Sequence, residues 1–227
     1  MAEKKNKKRN LLQSITWLGL PVVAIGGWFY PLLGFLLLGC MIGAVGIAFF
    51  RGRAWCDWMC PRGSFFEVFF SKVSSRRKIP GFLRSGYFRG FMVGLIFVVL
   101  GVQIFLARGD VYGMGLAMVR VLNVTTAAGI ILALAVHPRA WCHICPMGTL
   151  GNWVSRGRGS LVIGKSCISC QACSKVCPMQ LEPYRYAARG VMGDNDCIRC
   201  STCVERCPKK ALSFDCEGDK KIDASAA

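Results

Sequence analysis

Acidic residues and histidines are scarce in this chain. Only 12 Asp and Glu stand against 29 Lys and Arg, and His137 and His143 are the sole histidines in 227 residues. A b-type haem in a membrane needs two axial ligands within the helices, and neither histidine lies in mid-span, so the sequence argues against it. C-x-x-C-H is missing, which excludes covalent c-type haem. Proton acceptors near the membrane edge reduce to Asp57, Glu67 and His137, and no residue pattern points to bond-making chemistry on a polar substrate. Charge is absent altogether from Leu11 to Phe50.

That forty-residue gap in charge, with 53% hydrophobic residues overall, places part of the chain in a membrane. Two crossings of about 20 residues each fit the run. They are expected over residues 11–28 and 32–50, with Gly26-Gly27 and Pro31 available for the turn. Residues 90–107 and 119–136 supply a third and a fourth crossing, separated by an exposed Arg108-Gly109-Asp110 loop. The first run is too long for a signal-peptide core and ends in no small-x-small cleavage site, so it reads as an uncleaved anchor. Composition shifts near Gly151, dividing residues 1–150, a four-helix transmembrane domain, from residues 151–227, polar and rich in cysteine.

Topology follows from the cations. Lys4, Lys5, Lys7, Lys8 and Arg9 precede the first crossing, and nine Lys and Arg from Arg51 to Arg89 lie between the second and third. Basic segments resist translocation, so both termini and the middle connection are expected on the cytoplasmic side of the inner (cytoplasmic) membrane. The net charge of +17 is read as this topology signal plus attraction to anionic lipid. No single module gathers it, which argues against nucleic-acid binding.

One phrase is written twice after Gly151: Cys167, Cys170, Cys173, Cys177-Pro178, then Cys197, Cys200, Cys203, Cys207-Pro208. Each is C-x2-C-x2-C-x3-C-P, the run that wraps [4Fe–4S] clusters and sends its fourth cysteine to the other cluster. Cluster one is therefore expected on Cys167, Cys170, Cys173 and Cys207, and cluster two on Cys197, Cys200, Cys203 and Cys177. Zinc sites or disulfides are the alternatives, but zinc favours four ligands in two pairs and disulfides need no fixed triplets. A reducing cytoplasm keeps such thiols available.

A second duplication lies in the membrane half. Arg53-Ala54-Trp55-Cys56 leads to Cys60-Pro61-Arg62-Gly63-Ser64, and Arg139-Ala140-Trp141-Cys142 leads to Cys145-Pro146-Met147-Gly148-Thr149. Each copy follows the second helix of a two-helix unit, which implies two repeated hairpins related by an approximate two-fold. Such symmetry would gather Cys56, Cys60, Cys142 and Cys145 into a third metal site of iron–sulfur type. The competing reading is two inert or disulfide-forming pairs, with Trp55 and Trp141 as interfacial anchors in either case. Cys40 reads as packing within a helix and Cys216 as a spare thiol. Phe65, Phe66, Val68, Phe69 and Phe70, followed by Lys72, Arg76, Arg77 and Lys78, read as an aromatic and basic helix lying in the interface.

Over about residues 10–215 these features resemble the NapH-type membrane subunit of quinol dehydrogenases and its polyferredoxin-like membrane relatives. The resemblance implies four transmembrane helices, two cytoplasmic C-x3-C-P motifs, here at Cys56/Cys60 and Cys142/Cys145, and a small α+β double [4Fe–4S] ferredoxin domain with the eight cysteines as ligands. The second copy has two residues between its cysteines where the family pattern has three. The implied function is electron transfer between the quinone pool and a redox partner, a ferredoxin-like or cytochrome subunit, as part of a quinol dehydrogenase and not as a stand-alone enzyme. His137, at the end of the fourth crossing, reads either as a residue simply satisfied at the interface or as a partner for a quinone carbonyl. The alternative is an iron–sulfur assembly or redox-regulatory membrane protein of the oxidase-maturation type. Related membrane ferredoxins also serve nitrous oxide respiration and methylamine oxidation.

Overall fold

The computed structural model describes residues 2–107, 109–155 and 160–214, with side chains from Arg9 onward in the first helix. Arg108, Cys216 and the side chains of Lys4, Lys5, Lys7 and Lys8 lie outside the described residues. The chain is mostly helical, and four segments are long and apolar enough to cross a membrane: 9–29, 31–51, 86–106 and 111–135. At 1.5 Å per residue, a 21-residue segment spans about 31 Å, the thickness of a hydrocarbon core.

Helices α1 (Ala2–Thr16) and α2 (Gly19–Phe29) make the first segment. The turn that follows is at Tyr30, and Pro31 opens a 3-10 turn (Pro31–Phe35) leading into α3 (Leu36–Arg51). Gly26 and Gly27, expected at the turn, are helical, and a side chain at Gly27 would meet Val119 at 2.5 Å, so this glycine serves close packing. Short α4 (Ala54–Trp58) and α5 (Pro61–Phe70) carry the first Cys-Pro motif. The third segment, α6 (Gly86–Leu106), buries only Arg89 fully and leaves much of its surface suited to lipid contact.

The fourth segment, α7 (Val111–Ala135), begins eight residues before the expected start. Arg120 interrupts the apolar pattern there but sits on an exposed face, and Asp110 caps the helix by accepting from the backbone N–H groups of Tyr112 and Gly113 at 3.3 and 2.9 Å. α7 is the central helix: Gly115, Met118, Val119, Leu122 and Ala133 are buried. Its Gly115 meets the backbone near Pro31 and Gly34 so closely that no Cβ would fit.

Helices α8 (Trp141–Ile144) and α9 (Pro146–Val154) carry the second motif. In each copy the second cysteine, Cys60 or Cys145, is the extended residue before a helix and the proline is its first residue. The pre-proline restriction and the fixed proline φ favour that conformation. The packing is reciprocal: α5 lies against α1 and α7, and α9 lies against α6 and α3. Each motif helix thus touches the second long helix of the other copy. Within α5, Phe66 is fully buried against the Trp141 cluster while Val68 and Phe69 are exposed, so the aromatic run is partly core and not wholly interfacial.

α9 runs through Gly151, and the cysteine-rich lobe begins with β1 (Leu161–Ile163). Short α10 (Ala172–Lys175) and α11 (Thr202–Arg206) follow the two cysteine loops, and β2 (Leu212–Phe214) closes the lobe. The strands pair antiparallel, with Leu161 opposite Phe214 and Ile163 opposite Leu212. Leu161, Ile163, Met179, Leu181, Met192, Ile198 and Leu212 form the core beneath the loops.

Candidate metal centres

The two cysteine loops are conformational copies. Ser169, Gln171 and Gln180 take positive φ of 51, 62 and 52°, and thirty residues on Arg199, Ser201 and Lys210 take 56, 68 and 48°. Left-handed backbone at non-glycine residues costs energy, and its repetition at matched positions marks an imposed shape. Alternating right- and left-handed residues turn successive N–H groups toward one concavity, a nest suited to an anionic group such as an iron–sulfur core.

Two such concavities exist. One is lined by Cys167, Cys170, Cys173 and Cys207, with Ile168 and Tyr184. The other is lined by Cys177, Cys197, Cys200 and Cys203, with Met179 and Ile198. The fourth cysteine of each loop therefore faces the triplet of the other. The thirteen cysteines among the described residues are all free. No three Cys, His, Asp or Glu side chains among the described residues converge as tightly as one metal ion requires, whereas a cubane core holds its thiolates farther apart. Burial pushes the Cys177 thiol up to about 11 and Cys197 up to about 12. Thiols held so high ionise when a metal displaces the proton.

The membrane-edge cysteines also converge. Cys56, Cys60, Cys142 and Cys145 line one apolar cavity of about 300 Å³ with Trp55, Trp141 and Cys40. The cavity continues between the long helices past Met41, Phe97 and Leu100. Burial pushes Cys56 up to about 11 and raises Cys142 as well. Cys40, expected as packing alone, joins the lining because α3 stands directly over the motif. Trp141 is only 3% exposed, packs in a core with Phe66 and lies over Gly129. Trp141 is therefore core and not the interfacial anchor expected, whereas Trp55 packs close over Gly43 and stays half-buried. Gly43 opens a slot that the Trp55 ring fills, and Gly129 opens one that Phe66 fills beside Trp141.

The arginine opening each motif crosses to the other copy. Arg53 Nη2 donates to the Cys142 carbonyl at 2.6 Å, and Arg139 Nη1 donates to the Cys56 carbonyl at 3.0 Å. Arg139 also pairs with Asp57 at 3.1 Å and with Glu67, and both acids pair with Arg9, at 2.7 and 3.1 Å. Asp57 and Glu67, read from sequence as proton acceptors, are thus held in ion pairs. His137 accepts from the Arg139 backbone N–H at 3.2 Å through Nδ1, and burial pulls it down to about 4.

In the second copy His143 stands where the first has Asp57, four residues after the arginine, and Asn152 stands where it has Glu67, seven after the second cysteine. The missing acid comes from the cysteine-rich lobe. Asp196, next to Cys197, accepts from Arg53 at 2.6 Å, from Asn152 at 2.7 Å and from Arg89 at 3.0 Å, and lies 3.3 Å from His143 Nδ1. Burial opposes its charge, but the His143 hydrogen bond and the arginines outweigh that and hold its carboxyl well below the usual range. Sequence reasoning missed Asp196. The signal was there: the copies align, and only the first carries acids of its own.

This contact brings the second concavity against the membrane half. Cys56 and Cys142 pack into the same hydrophobic cluster as Cys200 and Cys203. Arg84 donates to the Met179 and Gln180 carbonyls at 2.7 and 3.0 Å, and α11 touches α1.

Comparison with known proteins bears on both halves. The 4Fe–4S binding domain family matches residues 33–80 and again 119–164, one match over each membrane-edge motif, and the 4Fe–4S dicluster domain family matches residues 166–212. The methylamine utilization ferredoxin-type protein MauN of Methylorubrum extorquens is 27% identical over 161 residues, covering 63% of this chain and 54% of that protein. MauN of Methylobacillus flagellatus is 26% identical over 185 residues, 74% of this chain and 65% of its own. An uncharacterized protein of Methanocaldococcus jannaschii is 26% identical over 145 residues, 61% of this chain and 56% of its own. The chain thus spans 54 to 65% of the length of these relatives. No solved structure matches. The chain carries 4Fe–4S ferredoxin-type domains and is homologous to MauN-like ferredoxin-type proteins.

Proposed function

We propose that this chain is the membrane component of a quinol dehydrogenase of the NapH type, passing electrons between the quinone pool and a redox partner. The observation that carries the reading is the shared packing of Cys56 and Cys142 with Cys200 and Cys203, which puts the membrane-edge thiols beside the lobe. Cys167, Cys170, Cys173 and Cys207 hold one [4Fe–4S] cluster, and Cys197, Cys200, Cys203 and Cys177 hold another. Cys56, Cys60, Cys142 and Cys145 hold a third. A [4Fe–4S] cluster supplies reversible one-electron chemistry at a potential set by hydrogen bonding and solvent exposure. The chain's own residues fix the order of the sites: Asp196 and Arg84 clamp the lobe so that the Cys197 loop faces the membrane half and the Cys167 loop faces away.

Residues 1–150 form the membrane domain, two hairpins related by a two-fold, and residues 151–227 the ferredoxin domain. The reciprocal arginines and motif helices support that symmetry. Both termini face the cytoplasm of the inner membrane, as the basic connections favour. The apolar cavity reaching between the long helices suits a quinone headgroup arriving from the bilayer. A second reading keeps the relay and changes its partner: two relatives are named for methylamine utilization, which favours a donor in such a pathway over nitrate respiration. Anaerobic mixing of the purified chain with a menaquinol analogue tests the quinone step. Bleaching of the clusters is expected; no reduction by quinol, and no quinone reduction by dithionite-reduced protein, would overturn it.

A further inference from the structure

Buried tryptophan N–H groups usually find an acceptor, because a buried donor left unmet keeps the full cost of its lost hydration. Here two do not. The indole nitrogens of Trp55 and Trp141 are both buried without a hydrogen-bond partner. They occupy the same place in the two motifs, and both rings line the cavity that Cys56, Cys60, Cys142 and Cys145 line. An indole N–H only donates, so a pair of them calls for an acceptor within the cavity. The lining is mainly sulfur and hydrocarbon: of its polar side chains Arg62 only donates and Thr125 Oγ1 already accepts from Arg62 at 2.9 Å, while Trp55 faces Cys40, whose neutral thiol accepts weakly.

We infer that Trp55 and Trp141 are the hydrogen-bond donors to the sulfur of the membrane-edge cluster, one from each copy, and that they set its reduction potential. The inference rests on the third-site reading above. Thiolate and sulfide carry more negative charge in the reduced cluster, so a donor aimed at sulfur favours reduction and raises the potential. Gly43 fixes the first donor in place, since a side chain there would meet Trp55 at 2.8 Å, and the second is held by burial in the core that Trp141 shares with Phe66. The two ferredoxin concavities contain no tryptophan, so the effect is confined to one centre.

The full chain, reconstituted anaerobically in detergent, provides the test. Protein labelled with 15N at the indole nitrogen is titrated under electron paramagnetic resonance beside Trp55→Phe, Trp141→Phe and the double variant. The labelled wild type is expected to show a nitrogen coupling on one cluster signal, lost in the double variant. The midpoint of that signal should fall in each single variant and fall further in the double, while the other two signals keep theirs. Iron sufficient for only two clusters in the wild type removes the third site, and this assignment with it, and leaves the ferredoxin clusters standing. Iron for three clusters with no 15N coupling overturns the tryptophan role alone, whether or not the variants fold.

Discussion

Arg53 reaches out of the first Cys-Pro motif to the backbone carbonyl of Cys142 in the second, 2.6 Å away. Arg139 returns the contact to Cys56, and Gly148 and Gly63 leave the space that each guanidinium needs. A methyl at Gly148 would lie 2.6 Å from Arg53 Nη2 and 2.7 Å from the Cys142 carbonyl, and one at Gly63 2.8 Å from the Cys56 carbonyl. Overpacking of this kind costs about 1–3 kcal/mol. Gly148→Ala should therefore lower the unfolding midpoint in detergent more than Gly63→Ala. Gly94→Ala, inside α6 with nothing within 4 Å, should not lower it.

Asp196 fastens the lobe to the membrane half, and its loss should be felt at both. Removing one partner of a buried pair leaves the other charge unpaired, at a cost of about 3–5 kcal/mol. Asp196→Asn keeps the shape and removes the charge that Arg53 and Arg89 face. Expected are a lower thermal midpoint and protease cleavage between the two parts. The exposed pair of Arg185 with Glu182 is a control: Arg185→Ala should leave the thermal midpoint unchanged.

These two relationships show what the sequence reveals and what it hides. The four long segments and the two cysteine runs were legible because both signals are local: an uncharged stretch long enough to span lipid, and a fixed spacing of thiols. The start of α7 was hidden because Arg120 looked like an interruption, and only packing shows that its face is free. Trp141 is hidden for the same reason, since an indole at a helix end reads as an anchor until its burial against Phe66 is seen. Asp196 could not be reached from its own neighbourhood. Its role depends on a deficit of acid in a segment more than 40 residues away, at His143 and Asn152.

The crosswise grouping of the cysteines gives distinct outcomes for two similar substitutions. Cys207→Ser should perturb the cluster of the Cys167 loop, and Cys177→Ser that of the Cys197 loop, each leaving the other signal intact at first. Electron paramagnetic resonance of the reduced protein separates the cases, because the Cys197 set lies in a more buried setting and the Cys167 set includes the exposed Cys170. The reverse pairing of losses would mean that each run closes its own cluster.

Replacing Cys56 and Cys142 together by Ser tests the membrane-edge site without touching the lobe's eight cysteines. Iron per chain should fall by one cluster's worth, and the two ferredoxin signals should persist. Unchanged iron would remove the shared site. Because Arg53 and Arg139 bind backbone carbonyls at these positions, the substitution leaves the reciprocal contacts in place, and a fall in the unfolding midpoint reports the lost cluster.

The pH dependence of stability follows from His137. Burial is the main cause of its fall from 6.5 to about 4, with the Arg139 charge adding to it and Glu67 opposing. The unfolded chain therefore binds a proton between pH 6.5 and 4 that the folded chain refuses, so stability rises with pH across that window. The contribution is complete above 6.5 and is lost as pH falls toward 4. His143, lowered by burial against the pull of Asp196, acts with the same sign. Urea unfolding in detergent should show the wild type losing stability between pH 7.5 and 5, and His137→Gln losing less over the same interval. An equal slope in the two proteins would mean that His137 is solvated and unperturbed in the folded chain.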